Sequence, residues 1–289
     1  MYHFIKFVIT LVICNLILIP VFSQQSQKWE ITDELSRTEL KFIEEKVNNY
    51  TKRKVLDSAL IFLTKSNKYL LNLKMYFQYF DNLYLIGDYS LQTYQYTQGI
   101  EVLRNGFDIY PNCLLNLNDS LKQAIKGKVS VIYQQLARLF SFTKALSTSL
   151  DYNIKYLNSQ KHLFGDNHLF TAHAYNVLAS TYEDVKDYKS ALNYYHKALS
   201  IYKNLPKKYQ RYQKHPLNNL GALFNSLNNY ALALEYYNKA LKISLKNRGE
   251  NSSFVAASYG NIANVHLNNG LYGSAQKRVN KNLNKGNMY

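Results

Sequence analysis

One apolar pattern returns every 42 residues through the C-terminal half of this chain. Its first clear copy is marked by Tyr175, Leu178, Ala179, Tyr182, Tyr188, Ala191, Tyr195, Ala198 and Leu199. One period later stand Leu217, Leu220, Gly221, Phe224, Tyr230, Ala233, Tyr237, Ala240 and Leu241. A further period gives Tyr259, Ile262, Ala263, His266, Tyr272 and Ala275. A looser copy upstream holds Tyr133, Leu136, Ala137, Phe140, Leu146 and Leu150. A fixed period of this length specifies stacked supersecondary units rather than a single globular core. The logic within a unit is steric. Tyr175, Leu178 and Tyr182 share one helix face, and Ala191, Tyr195 and Ala198 form a stripe on the next helix. The alanines let two backbones approach, and the tyrosines fill the gaps between units.

The rest of the chain fits the same architecture. At 289 residues there is room for about six helix pairs. A hydrophobic content of 47% excludes a disordered chain, and 4 Pro and 11 Gly leave long runs unbroken. No segment alternates as a strand does, so the expected fold class is all-α. Degenerate helical repeats are expected over 24–125 and the array proper over 126–289.

In detail, helices are expected over Leu35–Tyr50 and around Leu56, Ala59, Leu60 and Leu63. Another runs over Tyr69–Leu85, stopped by Gly87-Asp88, and the next over Tyr89–Leu103. Gly106, Pro111 and several asparagines mark 105–120 as a connecting loop, with Asp119 or Ser120 capping Leu121–Phe140. Lys144–Leu157 follows, and Asp166-Asn167 then caps Thr171–Asp184. Asp187 opens Tyr188–Lys203, and Pro206 breaks the chain before helices around Leu217–Asn225 and Tyr230–Lys246. Gly249 ends that pair, and Asn251 or Ser252 caps the last.

The N-terminus reads as a secretory signal over residues 1–23. Lys6 precedes the apolar run Phe7–Val21, and Val21-Phe22-Ser23 fits cleavage before Gln24. The expected location is therefore periplasmic or secreted. The alternative is a membrane anchor formed by residues 4–22, although the run is near the lower length limit for a span. Cleavage would leave Cys113 as the one cysteine, which can build neither an intrachain disulfide nor a metal cluster. The net charge of +16 is read as a solvated, lysine-rich outer face. Nucleic acid is a disfavoured partner for an exported chain, and a membrane partner is expected only if the N-terminal segment is retained.

Three phrases resemble the tetratricopeptide repeat family: Tyr175-Asn-Val-Leu-Ala-Ser-Thr-Tyr182, Asp187-Tyr-Lys-Ser-Ala-Leu192 and Asn229-Tyr-Ala-Leu-Ala-Leu-Glu-Tyr-Tyr-Asn-Lys-Ala-Leu241. The 42-residue spacing, led in by Leu163-Phe-Gly-Asp-Asn-His168, is similar to the longer repeats of kinesin light chain. The resemblance implies a right-handed solenoid of about six antiparallel helix pairs, its concave groove lined by the first helix of each pair. Asparagines in such grooves grip an extended peptide, because an amide donates and accepts at once. The groove candidates are Asn176 and Ser180, Asn218, Asn219 and Ala222, Asn261 and Asn264, with Gln134 and Arg138 upstream. The carboxylate-clamping, chaperone-binding subfamily is argued against. Where that subfamily sets lysine, asparagine and arginine in the groove, this sequence reads Asn176, Ser180, Asn219, Ala257 and Asn261, with no cation.

The residues point to no enzyme. His168 and His173 lie five apart, on different helix faces, and His196 is expected to be exposed. No phosphate loop or nucleophile elbow is present, and nothing near Cys113 activates it. Glu183-Asp184 reads as a solvated edge. Neither a cofactor nor a small-molecule substrate is expected. The function this supports is a non-catalytic scaffold binding a protein or extended peptide. The alternative is the N-terminal sensing part of a larger signalling or peptidase protein whose effector domain is absent. The oligomeric state is not legible.

Overall fold

Left-handed residues set where the chain reverses. A computed structural model describes residues 38, 42, 45–47, 49–50, 56–72, 74–115, 117–248 and 253–270. In it Lys144, Lys186, Asn228 and Gly270 have φ of 66°, 65°, 58° and 75°, each one 42-residue period from the last. Ala145, Asp187 and Asn229 then donate their backbone N–H back to Phe140, Tyr182 and Phe224 at 2.9, 2.9 and 2.8 Å. A bond spanning six residues over a left-handed position is a Schellman ending, which satisfies carbonyls a helix terminus leaves bare. Lys74 (φ 55°) and Tyr94 (φ 62°) sit in two further tight reversals upstream.

Eleven α-helices lie between these turns among the described residues, with no strand. They are α1 Leu56–Asn72, α2 Tyr76–Gln92, α3 Tyr96–Cys113, α4 Asp119–Phe142, α5 Leu146–Phe164 and α6 Leu169–Asp184. Then come α7 Tyr188–Asn204, the single turn α8 Lys207–Gln210, a 3-10 turn Arg211–Gln213, α9 Lys214–Ser226, α10 Tyr230–Arg248 and α11 Ser253–Asn268. Two compact units result: residues up to Gln95 with Val102–Lys128, and Tyr96–Glu101 with the residues from Val129 onward. No helix among the described residues is long and apolar enough to cross a membrane.

In the first unit Ala59, Leu60 and Leu63 of α1 pack on Ile86 and Tyr89 of α2, with Val47 completing the cluster. Phe80 meets Tyr79 and Tyr110 edge to face, at 5.3 and 5.9 Å between ring centroids. The second unit repeats one packing scheme in α4/α5, α6/α7 and α9/α10. Ala137, Ala179, Gly221 and Ala263 recur one period apart on the first helices, and all are buried. Ser149, Ala191 and Ala233 face them from the second helices, also buried. Ser149 takes the alanine position and donates its hydroxyl to the Ala137 carbonyl at 2.7 Å. Beside this small-residue seam runs an aromatic one. Phe140 stacks on Tyr152, Tyr182 on Tyr194 and Phe224 on Tyr236, at 5.5, 5.3 and 5.5 Å. Lys155, Lys197 and Lys239 cap those tyrosines at 4.8, 5.1 and 5.3 Å.

Several boundaries differ from the sequence expectation. Gly87 and Asp88 do not stop a helix. They are buried inside α2, and the reversal falls at Thr93-Tyr94. Pro111 and Gly106 lie within α3, so the connection is confined to residues 114–118. Gly106 faces the Leu83 side chain, and Pro111 sits in the last turn of α3. The cap of α4 is Asn118, whose Oδ1 accepts from Leu121 N–H at 2.9 Å, rather than Asp119 or Ser120. The cap of α6 is His168, accepting from Phe170 N–H at 3.3 Å, rather than Asp166 or Asn167. Asp187 does cap α7, accepting from Ser190 N–H at 3.0 Å. The signal segment, Gly249, Asn251, Ser252, Tyr272 and Ala275 lie outside the described residues.

Candidate functional site

The first helices of the second unit carry a polar seam. Gln134 of α4 is buried and meets His173 of α6, with Nε2 to Nε2 at 3.3 Å. One turn along α6, the buried Asn176 accepts at Oδ1 from Asn219 Nδ2 of α9, at 3.1 Å. Further along, Asn268 of α11 donates Nδ2 to Asn225 Oδ1 of α9 at 3.1 Å. Each bond joins one repeat to the next, so the seam stitches neighbouring units through side-chain amides. Asn and Gln suit this because each supplies a donor and an acceptor from one planar group.

Burial gives the seam an electrostatic character. His173 and His215 stand one period apart, both almost fully buried. Desolvation pushes the His173 imidazole down to about 4. His215 is lowered well below the ordinary range, by burial first and then by Lys214 and His173. Both rings are therefore neutral at physiological pH. Tyr156 meets His173 edge-on at 6.4 Å, and Tyr212 stacks on His215 at 6.1 Å.

The expected groove residues divide into two groups. Gln134, Asn176 and Asn219 are committed to the seam. The Asn218 side chain is half-buried, and its Oδ1 is sealed without a hydrogen-bond partner among the described residues. Arg138 is half-buried and donates Nη1 to Gln135 Oε1 at 3.1 Å. Ser180 and Asn261 are half-buried, Asn264 is exposed, and Ala222 is buried. The sequence reading brought Asn176 and Asn219 to one place but did not foresee that they bond each other. It also missed the two histidines as members of the seam, although their 42-residue spacing was a usable signal.

Groups considered for chemistry have other duties. Cys113 is buried at the end of α3, and desolvation pushes its thiol up to about 11, so it stays protonated near neutral pH. Glu183 is half-buried rather than a solvated edge, and its Oε2 accepts from the Tyr195 hydroxyl at 2.9 Å. His196 is exposed. Among the described residues no group of three or more His, Cys, Asp or Glu could hold a metal ion.

Residues 128–204 and 215–283 match the sequence model of the tetratricopeptide repeat, together just over half of the chain. The protein belongs to the tetratricopeptide repeat family. Members of the family are generally interaction or regulatory scaffolds without chemistry of their own. No curated protein matches the sequence. Among solved structures, BtubC (BKLC) from P. vanneervenii is 16% identical, with TM-score 0.65, over 81% of this chain and 93% of that one. The quorum sensor NprR from B. thuringiensis, in its apo form, is 14% identical, with TM-score 0.61, over 94% of this chain and 74% of that one. A putative kinesin light chain from P. anserina with nearly identical repeats is 14% identical, with TM-score 0.56, over 71% and 93%. At these identities the likeness is one of fold. The tetratricopeptide array is thus an all-α solenoid built from the helix pairs described above.

Proposed function

We propose that the tetratricopeptide array is a scaffold that binds an extended peptide or protein segment along its first helices. The observation that carries this reading is the Asn176–Asn219 pair. It spends one acceptor and one donor, leaving Asn176 Nδ2 and Asn219 Oδ1 unused among the described residues. A peptide group offers the complementary acceptor and donor whatever its side chain, so such a pair reads backbone rather than sequence. Ser180, Asn261 and Asn264 add hydroxyl and amide groups at half-buried or exposed positions of α6 and α11. The seam histidines are neutral, and the groove candidates Asn176, Ser180, Asn219 and Asn261 include no cation to clamp a terminal carboxylate. Recognition of main chain is the mode that fits these groups.

Export belongs to the same proposal. Cleavage before Gln24 would place the array outside the cytosol, and N-terminal sequencing of protein taken from its native cells tests it. A chain beginning at Met1 would remove that part of the reading.

The binding reading is tested by selecting peptides from a random library against the full chain. Enriched peptides should bind with weak salt dependence and lose about tenfold in affinity on Asn261→Ala/Asn264→Ala. These two substitutions leave the Asn176–Asn219 bond intact, so stability is little changed. A library that yields no binder, or binders indifferent to the double substitution, would refute the groove.

A further inference from the structure

The junction between α7 and α9 is electrically unlike its counterparts. One period upstream, the α5–α6 junction holds Lys161 and Asp166 in an ion pair of 3.0 Å. Forty-two residues later the same two places are Lys203 and Lys208, so the acid has become a second cation. One more period restores an acid, Glu250, in sequence. The inversion sits within a longer imbalance. From Tyr188 to Leu234 there are seven Lys and Arg and no acidic residue. Five of them, Lys203, Lys207, Lys208, Arg211 and Lys214, fall within the α8 junction or beside it.

The junction is also built to hold its charges in place. Gln210 donates Nε2 to the Lys203 and Leu205 carbonyls, both at 3.1 Å, closing the end of α7. Gln213 Nε2 donates to the Gln210 carbonyl at 3.1 Å, tying the 3-10 turn to α8. Lys208 lies over the Tyr209 ring at 4.7 Å and Arg211 over Tyr212 at 5.2 Å. Lys203, Lys207, Lys208 and Arg211 are nonetheless exposed. Like charges crowded on an ordered platform repel one another, and an external anion relieves that repulsion.

We propose that this cationic collar docks an acidic segment of a partner protein. Two features favour carboxylates on a polypeptide over other polyanions. The Tyr212 ring is already engaged by Tyr202 and His215, at 6.2 and 6.1 Å, so it offers little free face on which a nucleobase could stack. Between residues 187 and 226 no large apolar side chain is exposed, so the collar has no anchor for a bilayer interface. The collar adjoins the seam at His215, on which Tyr212 stacks, but the proposal does not depend on the groove reading.

The test measures binding of fluorescein-labelled decaglutamate to the full chain by anisotropy. A Gly-Ser peptide, a ten-residue oligothymidylate and phosphatidylserine vesicles serve as comparisons. Lys207→Glu/Lys208→Glu/Arg211→Glu should weaken decaglutamate binding about tenfold or more, and the corresponding triple Gln variant by less. Lys65→Glu/Lys155→Glu/Lys246→Glu makes the same charge change at exposed sites elsewhere and should cost about twofold or less. Circular dichroism melts confirm that each variant is folded. Equal losses in the two Glu triples would overturn the proposal in favour of diffuse net charge. So would absent decaglutamate binding, or tighter collar-dependent binding of the oligonucleotide or vesicles.

Discussion

At Gly221 the column of small residues reaches its tightest point. A Cβ placed there would lie 2.8 Å from Tyr237 Cδ1, against the body of the ring rather than a movable tip. Ala137, Ala179 and Ala263 occupy the equivalent positions with a methyl group. Gly221→Ala gains about 1 kcal/mol of helix propensity but forces the Tyr237 ring aside, at a cost of about 1–3 kcal/mol. Urea unfolding should therefore show a net loss of roughly 1 kcal/mol, against a gain if the ring yields freely. The buried histidines act at the same scale. His173 titrates near 6.5 when unfolded and about 4 when folded, so the unfolded chain binds more protons between those values. Its stabilising contribution is complete above pH 6.5 and drains away as pH falls toward 4, and His215 moves in the same sense. Stability measured at pH 7.5 and pH 4.5 should differ by several kcal/mol, His173 alone contributing about 2.5. His173→Gln/His215→Gln should flatten that difference; an unchanged pH slope would show that carboxylates, not these rings, govern it.

Among elements, the second helices start unevenly. Asp187 caps α7, and Asn229 caps α10 by accepting from Leu232 N–H at 3.2 Å. The equivalent residue before α5 is Ala145, which offers no side-chain acceptor. Ala145→Asp should stabilise the array by about 1 kcal/mol, read as a raised thermal midpoint, because it supplies the missing acceptor at a helix start. Much at this level was legible in sequence. The period placed the paired helices from α4 onward, since Ala179, Ala191 and Gly221 leave only one way for two helices to approach. The upstream errors have a physical cause. Gly87, Gly106 and Pro111 read as punctuation in the sequence, whereas burial makes the glycines packing residues, and the real turns lie at Lys74 and Tyr94, residues with no turn preference. Lys and Tyr in left-handed geometry are invisible to propensity; at Lys74 the strain is offset by a Schellman bond from Met75 N–H to the Leu70 carbonyl at 2.8 Å. The candidate site was legible in position but not in state. Helical spacing put Asn176 and Asn219 on the first helices, but no local rule says whether two amides face a ligand or each other.

Among the described residues the chain combines a neutral seam, an aromatic seam capped by lysines and the cationic α8 junction. These differ in reach. Seam contacts are short-range and little affected by salt, whereas the collar acts over about 8 Å at physiological ionic strength. A partner engaging both would be drawn in by charge and retained by amides. The turn residues at 144, 186, 228 and 270 carry a different consequence, about how such a chain can be edited. Excising residues 187–228 joins Lys186 directly to Asn229, so a left-handed residue again precedes a capping Asn. Tyr182 would then meet Tyr236 in place of Tyr194, and Ala179 would meet Ala233 in place of Ala191. The shortened protein should still unfold in one cooperative step, with a lower midpoint. Cutting 40 residues, 187–226, leaves two extra residues in the turn and should broaden the transition. A broad transition after both cuts would mean that neighbouring helix pairs are not interchangeable. A sharp one after the whole-period cut alone would mean that gain or loss of one duplication unit is a single, tolerated genetic event.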